Sequence, residues 1–241
     1  MNLVILASGS GKRLKKLTKS TPKCLIKING KSLLEYLDSF IKYFNKTYLV
    51  AGFKANLIKK FLKRKNIKII NNYNYRSTNM VYSLFCASSK IKGDTVICYS
   101  DIIFDHKIFN LLKKTRGTVM PVKSDWLELW KKRMPYREIK KDAENIEIKK
   151  GFLTSLGQPI NSIYPKNQFM GILKISKKDF KIMRKLFVEI KNKKIDFTNF
   201  INLAIKKKNL KIKCIKTRSF WFEIDKINDV AITSKLLRKI Y

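Results

Sequence analysis

One histidine and four cysteines among 241 residues remove several chemistries at the outset. His106 alone gives a nucleophilic triad a single possible base. Cys24, Cys86, Cys98 and Cys214 lie far apart with no Cys-x-x-Cys pair, which argues against a zinc site or a thioredoxin-like motif. They read as reduced core residues. Any metal then falls to carboxylates, which suit hard cations such as Mg2+. Long apolar runs are also missing: residues 3–7 form one of the longest, against the roughly 20 residues a membrane span needs. The first basic residue, Lys12, follows that run, so the pattern of a secretory signal is not met. These features predict a cytoplasmic chain with no membrane span.

Acidic residues are scarce. Seventeen Asp and Glu face 54 Lys and Arg, a formal charge of +37. The 45% hydrophobic content is too high for a disordered basic tail, and a chain of this length can bury roughly 70% of its unfolded surface. One domain over 1–241 is expected. Such charge suggests a polyanionic partner, yet the lysines are spread in short clusters such as Lys59-Lys60, Lys63-Arg64-Lys65 and Lys206-Lys207-Lys208, with no recognised nucleic-acid module. A solvated basic surface with no specific nucleic-acid partner is the expectation, with a basic nucleic-acid-binding protein as an alternative. The field attracts small anionic substrates in either case.

Strand and helix patterns alternate from the start. Residues 2–7 read as a buried strand, 8–11 as a tight loop, 12–17 as a helical turn and 24–28 as a short strand ending in an Asn-Gly turn. Apolar residues at helical spacing over 32–44 predict an amphipathic helix. Strands follow at 48–52, 67–71, 95–100 and 118–122, separated by helices at 56–63, 80–90 and 106–114, which predicts a mostly parallel sheet covered on both faces. The rhythm breaks at 124–168, where tryptophans, prolines and charges mix; this segment reads as a substrate-covering insertion. Strands at 171–175, 211–216 and 220–224 and helices at 178–190, 196–206 and 227–240 complete the chain.

The sharpest local signal follows the first strand: Leu6, Ala7, Ser8, Gly9, Ser10, Gly11, Lys12 and Arg13. Glycines let the backbone bring amide hydrogens to a phosphate, and the two cations add charge at a helix start. The spacing is neither that of a P-loop nor that of a dinucleotide fingerprint, and an ordinary strand–helix turn looks similar. Asp101 follows a buried strand and should stand at its carboxyl end, where open α/β sheets bind ligands; it could equally cap the next helix. Glu223 and Asp225 alternate with apolar residues, which places them on one face of a strand, a pattern also shared by the solvent side of an edge strand.

Together with Pro22-Lys23, the glycine loop resembles the signature of the nucleotidyltransferases that activate sugar phosphates and phosphocholine. Further matches lie at Thr78-Asn79-Met80-Val81-Tyr82-Ser83-Leu84, Ser100-Asp101-Ile102-Ile103-Phe104, Met170-Gly171-Ile172 and Trp221-Phe222-Glu223-Ile224-Asp225. The resemblance implies an α/β fold, a Rossmann-like three-layer α/β/α domain with a mostly parallel mixed sheet. It also implies exchange of the pyrophosphate of a nucleoside triphosphate for a phosphorylated acceptor. It makes Leu6 to Arg13, Asn79 and Ser100 nucleotide-binding, Lys23, Arg13 and Asp101 catalytic, and Asp101, Glu223 and Asp225 the ligands of Mg2+. The stretch 71–82 is similar to that of cytidylyltransferases, which makes CTP the expected donor. Residues 125–133 and 142–144 are similar to a subgroup containing bacterial phosphoglutamine cytidylyltransferases of capsule modification. That similarity makes Trp126, Trp130, Arg133, Asp142, Glu144 and Gly171 the expected acceptor-binding residues, with an amine-bearing phosphate or phosphonate as acceptor, since aromatics beside carboxylates hold an ammonium. A sugar-1-phosphate enzyme using UTP or dTTP is the alternative. Ser8 and the residues 134–141 depart from the family pattern.

Overall fold

The computed structural model describes residues 1–63, 65–160 and 163–239; Arg64 of the basic cluster and Ile240 of the expected terminal helix lie outside them. Strand β1 (Asn2–Ala7) is buried along its whole length and leads through the glycine loop into a 3-10 turn (Lys12–Leu14) and helix α1 (Lys16–Lys19). The expected strand at 24–28 is instead a 3-10 turn (Lys23–Leu25) followed by a two-residue strand β2 (Lys27–Ile28), because the segment pairs only with β3 (Lys31–Ser32) across Asn29-Gly30. Both turn residues have positive φ, as the tightest hairpins require. Ser32 and Glu35 form a capping box that starts α2 (Leu33–Ile41).

Next come β4 (Lys46–Ala51), α3 (Ala55–Leu62), β5 (Lys68–Asn71), α4 (Met80–Cys86), β6 (Thr95–Tyr99), β7 (Ile102–Phe104), α5 (Lys107–Lys114) and β8 (Val119–Lys123). The segment 124–168 holds α6 (Trp126–Arg133), α7 (Tyr136–Asp142) and the strands β9 (Asn145–Lys149) and β10 (Phe152–Gln158), so it is more regular than its composition suggests. The chain closes with β11 (Gln168–Phe169), β12 (Ile172–Ile175), α8 (Lys177–Glu189), α9 (Phe197–Lys208), β13 (Lys213–Thr217), β14 (Trp221–Glu223) and α10 (Ile227–Leu237).

The main sheet runs β5-β4-β1-β6-β12-β8-β13-β10-β9, with β11 also on β8. Its β5-β4-β1-β6 half is parallel, whereas β12, β10, β9 and β11 enter antiparallel, so the sheet is mixed. Alternation along β1 explains the three layers. Leu3 and Ile5 face Leu34, Leu37, Ile58 and Ile108 of one helical layer, while Val4 and Leu6 belong with Val81, Leu84, Phe180 and Phe200 of the other. A separate ribbon pairs β7 with β14 and packs Ile103, Phe222 and Ile224 against Leu14 and Leu33. No helix among the described residues is long and apolar enough to cross a membrane.

Candidate active site

β1 lies between β4 and β6, so the loop that leaves its carboxyl end opens onto the middle of the parallel half. Gly11 has φ 64°, and a Cβ there would lie 3.0 Å from Thr18 Cγ2 and 3.1 Å from Lys23 Cβ. Only glycine lets the loop fold this tightly over Lys23. Thr18 Oγ1 donates to the Gly11 carbonyl at 2.9 Å, and Ser8 Oγ donates to Val50 O at 3.1 Å, which ties the loop to β4. Under the loop lies a cleft of 180 Å³ lined by Leu6, Ala7, Ser8, Gly9, Gly11, Asn79 and Ser100, with Lys23 and Asp101 at its end. Ser10 and Lys12 do not line it, and Lys12 is exposed. Tyr75, Thr78, Met80 and Tyr99 are also in its walls; Tyr75 lies within the 71–82 stretch singled out in the sequence, whereas Tyr99 carries no motif that would have marked it.

At the cleft's end Lys23 Nζ donates to Asp101 Oδ2 at 2.7 Å and to Asp225 Oδ1 at 3.2 Å, and Arg13 Nη1 pairs with Asp225 Oδ2 at 2.5 Å. The β7–β14 ribbon makes this meeting possible. Asp101 precedes β7, Glu223 is opposite Ile102, and Ile224 N donates to the Asp101 carbonyl at 2.9 Å. Glu223 ends β14, whereas Asp225 stands beyond it, so the expected shared strand face is replaced by a strand end and the irregular stretch that follows. Burial works against the charge of Lys23, but Asp101 and Asp225 outweigh it and raise the ammonium above its ordinary range. Burial tends to lift the Asp225 carboxyl, yet Lys23 and Arg13 hold it below the usual carboxylate range. Glu223 keeps 31% of its side chain open to a neighbouring cleft. Loss of bulk water and the nearby Asp101 nevertheless push it above the usual carboxylate range.

Asp101 Oδ1 is buried with no hydrogen-bond partner, and with Glu223 and Asp225 it offers an all-oxygen donor set. Such a set fits a hard divalent cation. Among the described residues no three acidic, thiol or imidazole groups are already gathered as a metal cluster. The Lys23 ammonium stands between Asp101 and Asp225 instead.

A second cleft, of 420 Å³, adjoins the first across Tyr99 and Met80. Five of the chain's seventeen acidic residues line it: Asp142, Glu144, Asp196, Glu223 and Asp225. Trp130, Trp221 and Gly171 are also in its wall. The Trp130 and Trp221 rings stack at 5.4 Å, and Trp130 Nε1 donates to Asp142 Oδ2 at 3.0 Å. Burial, with Asp196 and Asp142 nearby, raises Glu144 to about 7. Burial also lifts Asp196, but hydrogen bonds from Asn199 and Thr198 outweigh it and keep that carboxyl low. Gly171 has φ 69°, and a Cβ there would meet the Tyr99 ring at 2.8 Å.

Trp126 and Arg133 differ from the expectation, for they stand behind this wall rather than in it. Trp126 donates to the Pro165 carbonyl at 2.9 Å and packs edge-on against Trp130. Arg133 is paired with Asp229. The sequence reading missed Gln168, Asp196, Thr198 and Asn199, which line the cleft. Asp196 and Asn199 look in the sequence like a helix cap and no more, and Asp196 does cap α9.

Comparison with known proteins shows the family of the chain. The chain is 29% identical over 252 residues to a CTP:phosphoglutamine cytidylyltransferase of Campylobacter jejuni, spanning 96% of this chain and 98% of that one. It is 30% identical over 124 residues to a choline-phosphate cytidylyltransferase of Streptococcus pneumoniae, about half of each chain. Its fold is similar to that of the inositol-1-phosphate CTP transferase from T. maritima, with a TM-score of 0.79 over 99% of this chain and 95% of that one at 18% identity. The family model of the MobA-like NTP transferase domain matches residues 3–175, from β1 and its glycine loop through β12, and the chain belongs to that family.

Proposed function

We propose that this nucleotidyltransferase moves CMP from CTP to a small amine-bearing phosphate or phosphonate and releases pyrophosphate. The observation that carries this reading is the junction of the two clefts. The glycine-loop cleft, which ends at Lys23 and Asp101, adjoins across Met80 and Tyr99 a second cleft lined by five carboxylates and the stacked Trp130 and Trp221, and Lys23 reaches Asp225 of that second cleft. In a chain of charge +37, a pocket this acidic selects a cationic headgroup.

In this reading CTP occupies the first cleft, with the loop amides and Arg13 on the phosphates that leave. An acceptor phosphate oxygen attacks the α-phosphorus, and the bond from that phosphorus to the β-phosphate bridging oxygen breaks. Two anions must approach, so positioning and charge neutralisation carry the rate. Lys23 neutralises charge on the α-phosphate or the acceptor, and its pairing with Asp101 and Asp225 keeps it protonated for that task. Asp101, Glu223 and Asp225 would hold Mg2+, which supplies further neutralisation of the phosphate oxygens when bound. Trp130, Asp142, Glu144 and Gly171 form the acceptor side. The same proposal takes residues 1–241 as one cytoplasmic unit with an insertion at 124–168 and a role in surface-polysaccharide modification.

A sugar-1-phosphate acceptor is the second reading. It is favoured by Gln168, Thr198 and Asn199, polar groups in the same cleft that could read hydroxyls. A pyrophosphate-release screen decides between them, with four nucleoside triphosphates tested against phosphocholine, aminoethylphosphonate, glutamine phosphate and hexose-1-phosphates. Turnover with CTP and an amine is expected. Turnover only with UTP or dTTP and a hexose-1-phosphate would replace the first reading with the second.

A further inference from the structure

Behind the carboxylates lies a buried ion pair that none of the steps above uses. Arg133, at the end of α6, donates through Nε to Asp229 Oδ1 and through Nη2 to Asp229 Oδ2, both at 2.9 Å, and each side chain is 1% exposed. The partners are 96 residues apart in sequence. Asp229 Oδ2 also accepts from the backbone N–H groups of Asp225 and Lys226, each at 2.8 Å. A capping carboxylate alone does not require burial or a guanidinium; an aspartate at the third helical position can cap from the solvent side. Buried ion pairs replaced as a whole by apolar side chains often cost a protein little stability, although removal of one partner alone is strongly destabilising, so a buried pair is weak evidence of a purely stabilising role. Its geometry does something more specific. The fork fixes the Asp229 carboxylate in two directions, and that carboxylate fixes the amide of Asp225, two residues past Glu223.

The other side of the guanidinium faces the site. Nη1 has no hydrogen-bond partner and lies 3.9 Å from both Glu223 Oε2 and Asp142 Oδ2. The Arg133 guanidinium carbon sits 4.4 Å from the centre of the Trp130 ring and 5.6 Å from that of Phe222. One side chain thus touches an acceptor-cleft aromatic, approaches an acceptor-cleft carboxylate, and is linked through Asp229 to the segment that carries Glu223 and Asp225. We propose that Arg133 and Asp229 are a positioning pair that holds the Glu223-Ile224-Asp225 segment in register with Asp101 and couples it to the acceptor cleft. This rests on the role given above to those three carboxylates.

Three variants test it: Asp229→Asn, Arg133→Met and Arg133→Lys. Hydrogen exchange should accelerate at the amides of residues 224–226 in the first two, with β1 and β6 amides unchanged. Mn2+ binding followed by electron paramagnetic resonance in the presence of CTP should weaken about tenfold or more, the usual effect of losing a group that orients metal ligands. Turnover should fall about tenfold while KM for CTP moves less than about threefold, because the nucleotide loop is untouched. Arg133→Lys, which can still reach one carboxylate oxygen, should recover part of each loss. Unchanged exchange at 224–226 together with unchanged Mn2+ binding in Arg133→Met would overturn the proposal. So would exchange accelerated throughout the chain in all three variants, which would make the pair a support of the whole fold. If the wild-type protein releases no pyrophosphate with any acceptor, the proposed reaction fails, while exchange and Mn2+ binding still decide the role of the pair.

Discussion

The Asp101 carboxylate has one oxygen bound to Lys23 and the other buried without a partner, and Asp225 is divided between Lys23 and Arg13. Replacing either by Ala removes charge at the place where, in the proposed reaction, two phosphates meet. Turnover with CTP and Mg2+ is expected to fall about 100-fold or more, with the circular dichroism spectrum unchanged; near-normal turnover in both variants would defeat the assignment. Glu144 gives a test by pH. Its folded value of about 7 exceeds the ordinary 4.5, so the stability it contributes is fully present below about 4.5 and is lost as pH rises through 7. Glu144→Gln should therefore gain on the wild type between pH 4.5 and 8, by an amount on the order of 1–3 kcal/mol. Urea unfolding at the two pH values measures it, and an equal difference at both would contradict the burial of that carboxyl. Only part of either residue's environment was visible in its sequence neighbours. Asp101 stood out because a strand precedes it; of the two acidic groups facing Glu144, Asp142 is two residues away at the end of α7, whereas Asp196, the N-cap of α9, is brought in by the fold.

At the scale of elements, the insertion hairpin is held to the body by α9. Asn202 accepts from Leu156 N at 2.9 Å and donates to Leu156 O at 2.7 Å, so one side chain satisfies both backbone groups of a β10 residue. Asn202→Ala would leave both without that partner and should cost about 1–3 kcal/mol. Because β10 and the N-terminus of α9 both border the acidic cleft through Gly157, Asp196, Thr198 and Asn199, KM for the acceptor should rise more than KM for CTP. Equal effects on both constants would mean that the clamp serves stability alone. In the parallel half the helices were readable because each turns its apolar residues to one side, and the central strands because they are short apolar runs buried on both faces. The 124–168 segment was not, because α6 buries a charged Arg133 beside its tryptophans, α7 buries only Ile139, and its strands are half exposed.

For the whole molecule, the charge of +37 acts at a distance. It should draw CTP toward the site and bind nucleic acid weakly and without sequence preference. Raising salt from about 50 to 200 mM should raise KM for CTP moderately and abolish retention of RNA or DNA, since each neutralised phosphate makes binding steeply salt-dependent. A filter-binding titration and steady-state kinetics at the two salt concentrations measure both. Sequence-selective retention that survives the higher salt would favour a nucleic-acid role.

Local pattern alone determined the alternating α/β order, the burial of β1 and the tight loop at Gly9 and Gly11, because periodicity and glycine act over a few residues. Resemblance in short motifs added Lys23, Asp101, Glu223 and Asp225 as a set. Tertiary structure decided what those residues do to one another: the β7–β14 ribbon brings Asp101 and Asp225, more than a hundred residues apart, onto the same Lys23 ammonium. It also moved Arg133 from the cleft wall to a buried pair with Asp229 and brought Asp196 to the acidic pocket. Burial and charge pairing at these places arise from long-range packing, which no local spacing of residues encodes.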